Sequence, residues 1–189
     1  MDLSNNDEAF GIKRQTIVFV RHGVARHNLL DDKGNPPNLN DPELFDPPLL
    51  LEGKKQAFDA GERLRIWWHT TQVGEHLELV ITSPLTRCLQ TTALAFLPGD
   101  LYAKDIPEPT IACMDLVREA YGMSYPDRRR PKDLLMVSFR HKLCMIITCL
   151  DLPLDEGLKI SSPTLLTLFA CSCSNMCTVT AVEMANTSF

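Results

Sequence analysis

An apolar run that stops abruptly at three polar residues constrains the fold of this chain most strongly. Thr16 to Val20 is rich in β-branched and apolar side chains, and Arg21-His22-Gly23 follows it with no spacer. Such a run is typical of a strand that is covered on both faces, as in a parallel or mixed sheet. The sequence therefore predicts a polar site at the point where a buried strand ends.

The rest of the first two thirds alternates between helical and extended patterns. Asn28 to Pro48 contains a glycine and several prolines and predicts a long loop, and from Glu52 apolar residues recur at helical spacing. A short strand is predicted up to Ile81, where Thr82-Ser83-Pro84 supplies capping hydroxyls and a proline suited to a helix start. Ile111 to Val117 predicts a third extended segment. This order predicts an α/β layer fold with functional groups at the carboxyl ends of its strands.

Composition and charge restrict the partners. The formal net charge of -5 argues against general nucleic-acid binding, so any phosphate site must be locally basic. Acidic residues and the lack of an apolar core at the N-terminus predict a cytoplasmic protein. Ile160 to Val182 carries no charge, but Pro163 and Asn175 interrupt it, so we expect no membrane anchor beyond a weak association of this segment. Cys88 and Cys113 are predicted to be buried thiols.

Side chains suited to phosphate chemistry converge on the end of the first strand. A neutral histidine is a nucleophile towards phosphorus, and guanidinium groups both disfavour its protonation and neutralise phosphoryl oxygens. Arg21 beside His22 supplies that combination, Gly23 permits close backbone approach, and Asn28 offers an amide donor. Arg87, in the first turn of the second predicted helix, would complete a two-arginine clamp. Taken alone, Arg-His-Gly is equally consistent with a strand-end turn of solvated side chains.

Three segments together resemble the histidine phosphatase superfamily, also called the phosphoglycerate mutase-like family. They are Val18 to Gly23 with Asn28, Pro48-Leu49-Leu50-Leu51-Glu52-Gly53-Lys54-Lys55-Gln56-Ala57, and Ser83-Pro84-Leu85-Thr86-Arg87-Cys88-Leu89-Gln90-Thr91. The resemblance covers roughly residues 15–135. It implies a three-layer sheet flanked by helices, and a site that works without a metal or another cofactor.

The resemblance also implies a role for each site residue. His22 would become phosphorylated, and the phosphate would be held by Arg21, Gly23, Asn28 and Arg87. Glu119 matches the family acid that protonates the leaving oxygen, although without the resemblance a surface glutamate paired with an arginine is the simpler interpretation.

The C-terminal third does not match the family. A second catalytic histidine is expected at the end of a later strand, and His141 precedes an apolar run instead of following one. We therefore divide the chain into an N-terminal extension (1–14), the N-terminal part of a histidine phosphatase domain (15–136) and an atypical tail (137–189). We hypothesise that an altered reading of the gene produced the tail, which transcript sequencing across Met136 would test. A sheet that is incomplete at its C-terminus and weak turnover are the expected consequences.

Other polar residues are interpreted as structurally ordinary. His27, His69 and His76 share no metal-ligand spacing and are predicted to be surface groups. The segment Asp127 to Arg130 either contacts the distal part of an anionic substrate or, as we favour, forms a solvated basic turn.

The function predicted from sequence is a phosphatase that acts on a phosphorylated small molecule or phosphoprotein through a phosphohistidine intermediate. The first alternative is a phosphoglycerate mutase, which returns the phosphate to another hydroxyl of the same molecule. The second is a non-catalytic relative that binds a phosphorylated ligand or a protein. Neither the substrate nor the oligomeric state follows from the sequence.

Overall fold

The regular elements follow the predicted alternation of strands and helices. A computed structural model describes residues 13–71, 77, 79–96, 109–118, 124–139 and 179–186, with only the backbone for 13–15 and 179–186. Its elements are β1 (Lys13–Val20), α1 (Leu51–Thr71), β2 (Leu79–Thr82), α2 (Thr86–Phe96), β3 (Thr110–Cys113), α3 (Lys132–Phe139) and β4 (Val179–Asn186). The order from β1 to β3 is that of an α/β fold.

The strands pair in two ways. β2 and β3 are parallel, with Val80 opposite Ile111, whereas β1 pairs with β4 in antiparallel fashion, with Val18 opposite Ala181. Ile17 and Val18 lie on opposite faces of β1 and both are buried, so the prediction that β1 is covered on both faces holds within the described part of the chain. The described neighbour of β1 runs antiparallel, which a mixed sheet permits and a purely parallel sheet does not. An apolar strand pattern reports burial and not the direction of the neighbouring strand.

The core forms where α1 and α2 pack against each other and against the strands. Its buried side chains include Val18 and Val80 from the strands, Leu64 from α1, and Leu89 and Phe96 from α2. The helices approach closely because Gly61 of α1 faces the backbone of Ala95, where a Cβ atom would overlap the carbonyl oxygen. Cys88 and Cys113 are both buried, as predicted.

Two predicted boundaries differ from those in the structure. The third extended segment, predicted for Ile111 to Val117, ends as a strand at Cys113 and continues as a 3-10 turn over Asp115–Val117. The apolar content of Leu116 and Val117 did not reveal this turn, which Asp115 stabilises through an ion pair with Arg118. The segment from Asn28 to Pro48 is irregular, as predicted, with 3-10 turns at Arg26–Asn28 and Pro42–Leu44.

Helix α3 crosses the predicted boundary between domain and tail at residue 136. Leu135 and Phe139 lie on either side of that boundary, and both are buried in the core cluster. The division of the chain into an extension, a domain and a tail therefore stays a prediction. No helix among the described residues is long and apolar enough to span a membrane. Nor does the described part of the chain hold a group of three or more metal-binding side chains.

Candidate active site

The Arg-His-Gly turn that follows β1 is fastened by residues of the two other matching segments. The backbone N–H of Gly23 donates to Oγ1 of Thr91 in α2 at 3.2 Å, and that of Val24 donates to Oε1 of Gln56 in α1 at 3.0 Å. The backbones of Gly23 and Gly53 are in close contact, since a Cβ atom on Gly23 would overlap the Gly53 carbonyl group. The turn therefore has little freedom to shift relative to either helix.

His22 is held in one orientation and one tautomer. It is 3% exposed, and its Nδ1 lies 2.8 Å from the carbonyl oxygen of Gly23, which can only accept, so Nδ1 carries the proton. Arg87 Nε lies 3.1 Å from Nε2, and because a guanidinium can only donate, Nε2 must carry the lone pair. Two independent contacts thus agree that Nδ1 carries the proton and Nε2 the lone pair.

The surroundings keep that lone pair free of a proton. Burial and then the positive charge of Arg87 lower the pKa of His22 from 6.5 to about 3, with a smaller contribution from Arg21, and the hydrogen bond that Nδ1 donates to the Gly23 carbonyl opposes them. At neutral pH the imidazole is therefore uncharged, which is the form that attacks phosphorus.

Arg87 is wholly buried and is anchored by a neighbouring turn. Its Nη1 donates to the carbonyl oxygen of Pro126 at 2.6 Å, and its Nη2 donates to Oδ1 of Asp127 at 2.9 Å. Oδ2 of Asp127 accepts from the Ser124 hydroxyl at 2.5 Å, so both carboxylate oxygens are engaged. Asp127 is thus part of the site.

The interpretation of Asp127 to Arg130 as a solvated basic turn is wrong. Only Arg128 is exposed, and it stacks over the ring of Tyr125. Arg129 pairs with Asp115 at 3.0 Å, and Arg130 pairs with buried Asp46 at 3.3 Å. Opposite charges distant in sequence neutralise this run, and no local pattern reveals such pairing.

The second helix receives its cap from the long loop and not from the residues directly before it. Both oxygens of Asp46 accept from Thr86, one from the backbone N–H at 2.8 Å and one from the hydroxyl at 2.6 Å. The predicted capping hydroxyl of Ser83 lies at 3.4 Å from the N–H of Leu85, a longer contact. Burial raises the pKa of Asp46, and Thr86 and Arg130 oppose that rise. Because Arg87 follows Thr86, Asp46 fixes the start of the helix that carries Arg87.

Of the other predicted site residues, Asn28 and Arg21 are described by the structure and Glu119 is not. Asn28 lies in the 3-10 turn after His22, and its Oδ1 accepts from the N–H of Ala25 at 3.0 Å, so its amide nitrogen is the group left for an anion. Arg21 is half-buried, and its charge lowers the pKa of His22. Glu119 and His141 lie outside the described residues.

The interpretation of His27 as a surface group is wrong. Its ring centroid lies 5.7 Å from that of His22, and its Nδ1 is buried. Burial lowers the pKa of His27 to about 4, the charges of Arg87 and Arg21 act in the same direction, and Asp127 opposes them. His69, by contrast, is exposed as predicted, and His76 lies outside the described residues. His27 follows His22 by five positions in the sequence, but only the 3-10 turn brings the two rings together.

We predict that acid destabilises this fold through its two pocket histidines. Both have a pKa near 6.5 when unfolded and of about 3 (His22) or about 4 (His27) when folded, so the unfolded chain binds more protons below pH 6.5. Their contribution to stability is complete above pH 6.5 and is lost as the pH falls towards 3. Urea denaturation between pH 7 and pH 4 measures this loss.

Exposed His69 provides the control for that experiment. A His69→Gln variant is expected to show the same decline in the free energy of unfolding, whereas His22→Gln should show a shallower one. Equal declines in all three proteins would contradict the assignment.

Comparison with known proteins gives two curated relatives of similar description. The chain is 35% identical over 82 residues to phosphoglycerate mutase-like protein 1 of Arabidopsis thaliana, covering 43% of this chain and 27% of that protein. It is 31% identical over 97 residues to phosphoglycerate mutase-like protein 2 of the same organism, covering 51% of this chain and 26% of the relative. The chain thus matches about a quarter of the length of either relative. No protein-family model matches it.

Solved structures give a weaker likeness. A protein of Agrobacterium tumefaciens described as a phosphohistidine phosphatase SixA has a TM-score of 0.41 at 13% identity, over 82% of this chain and 66% of that one. A SixA protein histidine phosphatase complexed with tungstate has a TM-score of 0.33 at 15% identity, over 82% of this chain and 68% of that one. The resemblance inferred from the three sequence segments is confirmed by these two relatives, both of which are described as phosphoglycerate mutase-like.

Proposed function

We propose that this chain is a phosphatase that moves the phosphoryl group of a phosphomonoester first to His22 and then to water. The observation that carries the proposal is the state of His22. Its Nδ1 proton is held by Gly23, its Nε2 lone pair is kept unprotonated, and buried Arg87 lies beside that lone pair. The substrate is a phosphorylated small molecule or phosphoprotein. We further propose that the domain is a three-layer sheet flanked by helices, incomplete at its C-terminus.

The proposed reaction has two balanced steps. In the first, Nε2 of His22 forms a bond to phosphorus while the bond to the leaving oxygen breaks, and that oxygen takes a proton from Glu119. In the second, water attacks the phosphohistidine, the N–P bond breaks, and Glu119 recovers a proton from the water. Arg21, Asn28 and Arg87 neutralise and orient the phosphoryl oxygens in both steps. No metal or other cofactor takes part.

The contacts of Arg87 favour a second candidate function, the binding of phosphorylated ligands without catalysis. Its Nε hydrogen bond occupies the Nε2 lone pair, and Pro126 and Asp127 hold its two terminal nitrogens. Attack at phosphorus requires the first contact to break, whereas binding an anion beside the guanidinium does not. We therefore expect weak turnover from this chain. The loss of one preorganised hydrogen-bond donor to the phosphoryl group costs about a hundredfold or more in rate.

Phosphate trapping separates the two candidates. We expect the purified chain, incubated with p-nitrophenyl phosphate and quenched rapidly in alkali, to carry a phosphoryl group on His22 by mass spectrometry. His22→Ala should carry none, because no other atom takes the place of Nε2, while His69→Ala should be labelled like the parent chain.

A binder would give a different pattern. Inorganic phosphate would bind to the parent chain with no label on His22 and no release of nitrophenolate above the rate of His22→Ala. Nitrophenolate release at an equal rate from both proteins, with no label on either, would contradict the proposed mechanism.

A further inference from the structure

His27 lies beside the proposed nucleophile in a position that the matching segments do not account for. It belongs to the 3-10 turn Arg26–Asn28, which the hydrogen bond from Ala25 to Asn28 Oδ1 closes. Ala25 is itself fully buried and bridges to Leu49. The turn is therefore anchored at its first residue, and it presents His27 at a ring separation of 5.7 Å from His22, tilted by 49°.

The Nδ1 atom of His27 is buried and has no hydrogen-bond partner among the residues that the structure describes. Leaving a polar atom buried and unsatisfied costs about 1–3 kcal/mol, and such atoms in native proteins call for an explanation. A direct bond to His22 does not provide one, since Gly23 and Arg87 already engage its two nitrogens. A ligand that contacts the edges of both rings does.

The charges that face His27 identify the chemistry of that ligand. Arg21 and Arg87 contribute positive charge, Asp127 contributes negative charge, and His22 is neutral. Asp127 is committed to Arg87 and Ser124, so the surroundings of the two rings favour an anion. One phosphoryl group is small enough to contact both imidazoles across this separation.

We infer that His27 is a phosphate-binding residue of this pocket, whose imidazole donates a hydrogen bond to an oxygen of the phosphoryl group that is transferred at His22. This inference rests on the proposed function for the identity of the anion. It supplies a second histidine from a turn that directly follows the nucleophile. Among the histidines that the structure describes, His27 is the one that lies beside His22.

Binding of inorganic phosphate tests the inference without requiring turnover. His27→Leu removes the donor, and we expect phosphate to bind about tenfold to a hundredfold more weakly by titration calorimetry, the range for a hydrogen bond to a charged group. His27→Asn keeps an N–H donor close to the Nδ1 position and should recover most of the affinity. His69→Leu, at an exposed position, should bind like the parent chain.

A second measurement reports on His27 itself. Its pKa of about 4 in the empty pocket should rise by at least one unit when phosphate is added, because the anion favours the imidazolium ion. Histidine ring resonances followed by NMR against pH, with His69 as the internal reference, give this value. Circular dichroism establishes that each variant is folded.

The outcomes separate this inference from the proposed function. Parent-like phosphate affinity in folded His27→Leu, no phosphate binding by the parent chain, or an unchanged His27 pKa with phosphate bound would each overturn the role of His27. Weaker binding in His27→Leu supports it, even where His22 is never labelled and the phosphatase proposal fails. Labelled His22 together with parent-like affinity in His27→Leu retains the phosphatase and rejects the role of His27.

Discussion

Replacing Arg87 by leucine is expected to abolish labelling of His22 and to lower the free energy of unfolding by about 3–5 kcal/mol, the range for breaking a buried ion pair. Arg87 is fully buried, and Asp127 is nearly so, so the carboxylate that remains has no compensating charge. The variant also loses the donors to Pro126 and His22. Catalysis and stability therefore decline together. Urea denaturation and the trapping assay measure the two effects.

Two further variants attribute that loss to the buried pair. Arg26→Leu breaks an ion pair whose partners, Arg26 and Glu43, are 58% and 70% exposed, and should cost less than about 1 kcal/mol. The double variant Arg87→Leu, Asp127→Leu leaves no unpaired buried charge and should be more stable than Arg87→Leu alone. Equal stability losses in Arg87→Leu and Arg26→Leu would contradict the assignment.

The sequence was sufficient to predict the parts of the site that follow directly from the chain. Arg21 and His22 come immediately after β1, and Arg87 lies in the first turn of α2, so their positions depend only on where a strand ends or a helix begins. The burial of Cys88 and Cys113 likewise follows from the apolar periodicity of their elements. In each case a local pattern determines the environment of the residue.

Contacts between distant segments were not predictable in the same way. Asp46 caps α2 from a position 40 residues earlier, and Asp127 neutralises Arg87 from 40 residues later. Both carboxylates occur in segments rich in polar and turn-forming residues, where solvation is the default expectation. The spacing of the histidines gives no sign of the position of His27, because the 3-10 turn places its ring next to a second imidazole. Such pairs become visible only when the tertiary structure sets the partner.

The glycine of the second matching segment, Gly53, contacts the turn that holds His22, and Gly53→Ala is expected to disturb that turn. A Cβ atom on Gly53 would overlap the backbone oxygen and nitrogen of Val24, and neither can move without displacing the turn that holds His22. Overpacking of this kind costs about 1–3 kcal/mol, and the better helix propensity of alanine returns about 1 kcal/mol at most. A displacement near 1 Å at the nucleophile would slow labelling of His22 by about a hundredfold.

Gly34→Ala is the matched control, because it makes the same chemical change at a site with a different constraint. Gly34 has a φ of 82° and open space around it, so alanine there should cost about 1–2 kcal/mol through backbone strain alone. Its labelling rate should be unchanged, since Gly34 lies in the long loop away from the contacts of Gly53. If Gly53→Ala is labelled as fast as Gly34→Ala, the contact between Gly53 and the turn after β1 does not position His22. A slow Gly53→Ala beside a parent-like Gly34→Ala shows that the close approach of α1 serves the geometry of His22 and not stability alone.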